Sequence, residues 1–134
     1  MNREMVVPFP TALAFAIAPF IFVPFPLYHR YRAAALTTED ESILVHERVH
    51  LARERTVGLF RFGVRYLFER EFRLNEELLA IVEQMRFLKE HGASYDIERK
   101  ARHFSSSVYG YLLSFDEAKE CLERLWAEAY TGCR

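Results

Sequence analysis

The stretch "SILVHERVHLAR", residues 42–53, carries two histidines four apart, with a glutamate after the first: His46, Glu47 and His50. Residues four apart stand one above the other on one face of a helix. On a helix, His46 and His50 therefore present two imidazoles to one point. Glu47 follows His46 by about 100° around the axis, beside that point rather than on it. Two ligands for one metal ion, and a carboxylate within reach of water on that ion, are the physical content of H-E-x-x-H. The competing reading is an amphipathic helix with two exposed histidines. Glu47 and His50 also form E-x-x-H, the step used by di-iron bundles, but those need a second copy. None exists here: Leu88 stands three before His91, and Lys100 three before His103.

The neighbourhood supports a helix. Thr38 and Glu41 have capping-box spacing, and Glu39 and Asp40 complement the positive end of a helix dipole. The pattern predicts a helix from about residue 39 through the quoted stretch. Ile43, Leu44 and Leu51 form its apolar face, with Val45 and Val49 at the margin. In "TVGLFRFGVRYLFEREF" (56–72), Phe60, Val64, Leu67 and Phe68 recur at helical spacing and predict a second helix. Asn75 is a candidate cap for a third, over about 76–91, with a stripe of Leu78, Leu79, Val82, Met85 and Leu88 and a stop at Gly92. A fourth helix is expected over 97–112. Ser114 with Glu117 is a further capping-box spacing, opening a last helix with Ala118, Leu122, Leu125, Trp126 and Ala129 inward.

The N-terminal segment is different. From Val6 to Tyr28 no residue is charged. The run is long enough to span a bilayer. Pro8, Pro10, Pro19, Pro24 and Pro26 interrupt it, and each removes a helical hydrogen bond and adds a clash. Large Leu13, Phe15 and Ile17 alternate with Ala12, Ala14, Ala16 and Ala18, a period of two that belongs to strands. Two strands are expected, over about 11–18 and 20–25, with Pro19 at the join. A membrane segment and a secretory signal are the alternatives. The fold class expected is α+β: one mostly helical domain over residues 1–134 with a small N-terminal hairpin or sheet.

Bulk properties fit this. The chain has 134 residues, enough for one domain with a real core. Half of it is hydrophobic, 28 % is charged, and the net charge is −1. Charges of both signs are mixed along the chain, which argues against a nucleic-acid binder. Cys121 and Cys133 make no zinc-ligand spacing and read as free thiols in a reducing compartment. A cytoplasmic location is expected on that basis, with membrane association or export as alternatives.

A catalytic zinc site has three protein ligands and keeps one position for water. His91 and His103 are distant candidates for the third. Residue 56 is threonine, so no histidine follows closely behind the motif. Glu76, Glu77 and Glu83 on the third predicted helix are better placed. HERVH followed by a glutamate-bearing helix about 25 residues later resembles the gluzincin branch of the zincin metallopeptidases, most of all the small members carried by bacteria and phages. The resemblance covers roughly residues 12–90, including the strands before the motif helix, which border the substrate cleft in zincins. In the larger relatives the third ligand opens an E-x-x-A step commonly followed by aspartate. This chain has Glu77 and Ala80 in those places, then Ile81 where the aspartate would stand.

The resemblance implies zinc held by His46, His50 and Glu77, and peptide hydrolysis by an activated water with Glu47 as general base. The oxyanion would need a further donor. Tyr109 is the first choice, with Tyr111, His103 and Arg102 close to it in sequence. Arg53, Arg55, Arg61 and Arg65 read as a solvated face, or as a preference for acidic substrates or partners. Two other functions compete: a non-catalytic zincin-like metal-binding module, and a membrane-associated interaction module anchored by residues 6–28. A peptide or protein is the expected partner, and the sequence leaves oligomeric state open.

Overall fold

The computed structural model describes residues 4–106 and 112–129. The fold is α+β and mostly helical: among the described residues three short strands precede six helices. Strands β1 (Met5–Pro8), β2 (Phe15–Ile17) and β3 (Phe20–Val23) form a sheet of order β1-β3-β2. β2 and β3 make the expected hairpin across a cis Ala18–Pro19 bond, with Phe15 opposite Phe22 and Ile17 opposite Phe20. β1 was not foreseen. It pairs parallel to β3, Met5 opposite Phe20 and Val7 opposite Phe22.

The alternation in the sequence sorts the two sheet faces. Ile21 and Val23 are fully buried, and Ala14, Ala16 and Ala18 pack beside them against Leu44 and Leu51. The small residues thus face inward and let a helix approach the sheet closely. Phe15, Phe20 and Phe22 lie on the other face, where Phe15 and Phe22 stack at 4.8 Å and Phe9 meets both edge-on.

Helix α1 (Phe25–Arg32) occupies ground expected to be strand end and polar transition. Pro26 sits in its first turn, where proline's missing N–H is no loss and its fixed φ favours helix. Helix α2 (Thr38–Val57) carries the motif. Its capping box lies one residue earlier than expected: the Thr37 hydroxyl accepts from Asp40 N, and Asp40 accepts from Thr37 N. Gly58, at φ 100°, ends α2 and turns the chain into α3 (Leu59–Phe68). Helix α4 (Arg70–Glu90) starts six residues before the predicted position, and Asn75 lies inside it. Gly92, at φ 67°, follows its end as expected. Helix α5 (Ile97–Phe104) is shorter than expected. Helix α6 (Phe115–Glu128) is capped by Ser114 and Glu117 as predicted.

Two apolar clusters result. One joins the inner sheet face to α1 and α2. The other comprises Ile81, Met85, Ala101, Phe104, Leu112, Ala118 and Leu122, with Leu125, Trp126 and Ala129 packed on it. Between them α2 and α4 lie side by side. Of the predicted α4 stripe, Met85 and Leu88 are buried, but Leu79 is exposed, because α4 turns glutamates toward α2. Among the described residues no helix is long and apolar enough to cross a membrane. Cys121 is a free thiol, and Cys133 lies outside the described residues.

Candidate metal centre

The face of α2 turned to α4 is polar, contrary to the usual pattern of a buried helix face. Contacts between the two helices run in opposite order along the sequence. Ser42 and His46 meet Gln84, His46 and His50 meet Glu77, and Arg53 meets Glu76. The helices are therefore antiparallel, and fully buried Ala80 falls between Glu77 and Gln84 by helical spacing. His46 and His50 are each 7 % exposed, Glu47 4 % and Glu77 3 %.

Distances define a compact donor set. The two Nε2 atoms are 3.2 Å apart. Glu77 sends one oxygen to each ring, at 3.2 Å from His46 Nε2 and 3.4 Å from His50 Nε2. Ligand atoms about 2.0–2.1 Å from a tetrahedral zinc stand roughly 3.3 Å from one another. Each separation is close to that edge length, although Glu77 offers a different oxygen to each ring. One potential ligand atom each from His46, Glu47 and His50 also lies within 4.8 Å of the others.

Proton bookkeeping strengthens the fit. The Ser42 hydroxyl donates to Glu39 O at 2.7 Å, so its oxygen accepts from Gln84 Nε2 at 3.2 Å. That fixes the Gln84 amide with Oε1 toward His46 Nδ1, 2.9 Å away. His46 therefore donates from Nδ1. Burial holds His46 below the usual histidine range, against the pull of Glu77. Its Nε2 stands 3.2 Å from a Glu77 oxygen and 3.2 Å from His50 Nε2, a spacing that a shared cation could bridge. An outer partner that fixes the tautomer of a ligating histidine is also the usual companion of a metal site.

The surrounding charges are tuned by burial. Burial works to raise Glu77, but the His46 and His50 rings against it outweigh burial and hold it well below the usual carboxylate range. Burial works to lower His50, but Glu77, Glu47 and Glu54 together raise it. Burial pushes Glu47 up to about 8, with the Glu77 charge adding to the rise and His50 opposing. A bound cation would draw Glu47 back toward its ionised form. Glu54, one turn beyond His50, is likewise pushed up to about 7 by burial. Glu54 Oε2 and His50 Nδ1 are both buried without a hydrogen-bond partner.

The other sequence candidates stand elsewhere. Glu76 is held by Arg53 through both oxygens, and Glu83 pairs with Arg86. His91 is exposed, with Nδ1 on the Phe87 carbonyl and its ring stacked on Phe87. Arg102 is exposed and pairs with Glu98. His103 lies on α5, where burial, Lys100 and Arg99 lower it. Tyr109 and Tyr111 lie outside the described residues.

Three contributors escaped the sequence reading. Tyr66 donates its hydroxyl to Glu77 Oε1 at 2.5 Å, and its ring meets that of His50. Gln84 fixes His46. Lys100, on α5, acts electrostatically on His46 and Glu47. Position along the chain marks none of them: Gln84 lies two turns beyond Glu77 on α4, and Tyr66 and Lys100 lie on other helices. No protein family, no curated protein and no solved structure matches this chain.

Proposed function

We propose that the chain is a zinc-dependent metallopeptidase in which His46, His50 and Glu77 hold the ion and Glu47 is the general base. The observation that carries this reading is the convergence of His46 Nε2, His50 Nε2 and the Glu77 carboxylate at 3.2–3.4 Å, with Glu47 beside the two histidines on α2. Two imidazoles and one carboxylate form a donor set common in catalytic zinc sites. When bound, the ion supplies Lewis acidity and lowers the pKa of a coordinated water.

The protein groups divide the remaining work. Glu47 accepts a proton from the attacking water and returns it to the leaving amine. Its buried position makes it a stronger base than an exposed carboxylate. Gln84 holds His46 in the tautomer that leaves Nε2 free, and Tyr66 orients the Glu77 carboxylate. Lys100 adds positive potential near Glu47. Tyr109 remains the proposed oxyanion donor from the sequence.

The test is Glu47→Gln in the zinc-loaded protein, assayed on a labelled unfolded polypeptide. Zinc content should hold while hydrolysis drops by about 10²–10⁴-fold. Activity equal to the parent's would rule out Glu47 as the base.

A second reading has its own support. All four groups are buried, whereas a catalytic site keeps a position open. A non-catalytic module would use the ion to join α2 to α4. It would bind zinc and melt at a higher temperature with it, and would show no hydrolysis in parent or variant.

A further inference from the structure

Helix α3 has two apolar faces, and only one is used. Phe62 and Tyr66 turn inward, where Phe62 packs on Phe72 and Tyr66 reaches Glu77. The stripe that announced the helix in the sequence points the other way: Phe60 is 85 % exposed, Phe68 81 % and Leu67 71 %, with Val64 between them. At 100° per residue these four fall within an arc of about 100°, opposite Phe62 and Tyr66. Leu59 is also exposed, outside that arc, and a side chain at Gly63 would meet open space. Isolated exposed apolar residues are ordinary; four on one stripe mark a docking face.

The charge beside the stripe selects the occupant. Between Arg55 and Phe68 the chain has three arginines and no acidic residue. Arg55 and Arg61 are exposed, and Arg61 borders the stripe. Arg65 lies on the same flank, bridged to Glu69. A second copy of the chain is a poor fit. A ten-residue helix is about 15 Å long, and one stripe of it falls well short of the roughly 800 Å² per partner of a stable interface. A two-fold contact there would also set arginine against arginine. An anionic lipid surface suits both features, taking the aromatic stripe into the acyl boundary and the arginines at the headgroups.

We propose that α3 is an interfacial anchor that seats the protein on anionic membranes through Phe60, Val64, Leu67 and Phe68, with Arg61 at the headgroups. It needs no spanning segment and is independent of whether the metal centre is catalytic. Because α3 also carries Tyr66, seating would place the metal centre just behind the membrane-facing helix.

The experiment is co-sedimentation of the full chain with vesicles of phosphatidylcholine containing phosphatidylglycerol, against vesicles of phosphatidylcholine alone. The parent should bind the anionic vesicles, more weakly as salt is raised, and bind the neutral ones at least about tenfold less. Phe60→Ser/Phe68→Ser should lower the binding by about tenfold or more. These side chains are exposed, so the circular dichroism and melting of the variant should match the parent. Arg61→Glu, which removes no apolar area, should weaken binding separately. No binding by the parent, or undiminished binding by both variants, overturns the proposal. So does a parent dimer that Phe60→Ser/Phe68→Ser dissolves, since the face would then belong to a second copy.

Discussion

Helix α4 takes part in two interiors of opposite character. Its second half contributes Ile81 and Met85 to an apolar cluster with α5 and α6. Its first half turns Glu76 and Glu77 to α2, where His46, Glu47, His50 and Glu54 are also buried. The apolar cluster gains free energy simply by excluding water from its side chains. The polar seam does the reverse: each buried carboxylate carries a desolvation cost that only a well-placed partner offsets. Arg53 serves Glu76 in that way. Around Glu77 two imidazole nitrogens and a carboxylate converge within 3.2–3.4 Å. The apolar half therefore accounts for stability, and the seam gathers the groups that the proposed ion would use.

Substitutions can break or sharpen this contrast. The largest effect is expected in the apolar half. Phe104 is fully buried, and Phe104→Ala should destabilise by about 3–5 kcal/mol in denaturant unfolding. Zinc should still raise the stability of this variant by as much as it raises the parent's. A change in the zinc increment would mean that the two interiors are coupled.

Gln84→Leu should act in the opposite way. The side chain is only half-buried, so the change in stability should be small, but zinc affinity measured by competition with a chelator should drop about 10–100-fold. Unaltered affinity would remove Gln84 from its role of fixing the His46 tautomer.

The smallest effect is expected at the start of α2, remote from both. Hydrogen bonds from Arg30, backed by those of Thr37 and opposed by burial, hold Asp40 below the usual carboxylate range. The folded protein therefore binds the Asp40 proton less readily than the unfolded chain. The resulting stability is present above the unfolded carboxyl pKa of about 4 and is lost as pH falls through the folded value. Asp40→Ala should cost about 1 kcal/mol at pH 7 through the lost cap and less at pH 3, with zinc affinity unaltered. An equal cost at both pH values would argue against an ionised cap.

The two interiors also differed in how much of them the sequence disclosed. Regular spacing made the last helix legible, because Ala118, Leu122, Leu125, Trp126 and Ala129 repeat on one face behind a Ser114–Glu117 cap. It made His46, Glu47 and His50 legible for the same reason. Glu77 came from its likeness to an E-x-x-A step rather than from spacing, since nothing local says which glutamate of α4 faces α2. Asn75 resembled a cap but lies within α4, because Phe72 is already buried on the preceding turn. Prolines read as helix breakers hid α1, whose first turn accommodates Pro26. The stripe of α3 announced a helix correctly, but the buried face is Phe62 and Tyr66. Tyr66, Gln84 and Lys100 each act through one contact or one charge across the fold, which leaves no periodic trace.

The measurement that bears most directly on the metal centre is zinc per chain in the purified protein and in His46→Ala and Glu77→Ala, each reconstituted and then desalted. About one zinc per parent chain and none in either variant is expected of three ligands closing one site. A parent that holds no zinc after reconstitution would contradict the centre itself, and zinc retained in full by Glu77→Ala would contradict the His46, His50 and Glu77 ligand set.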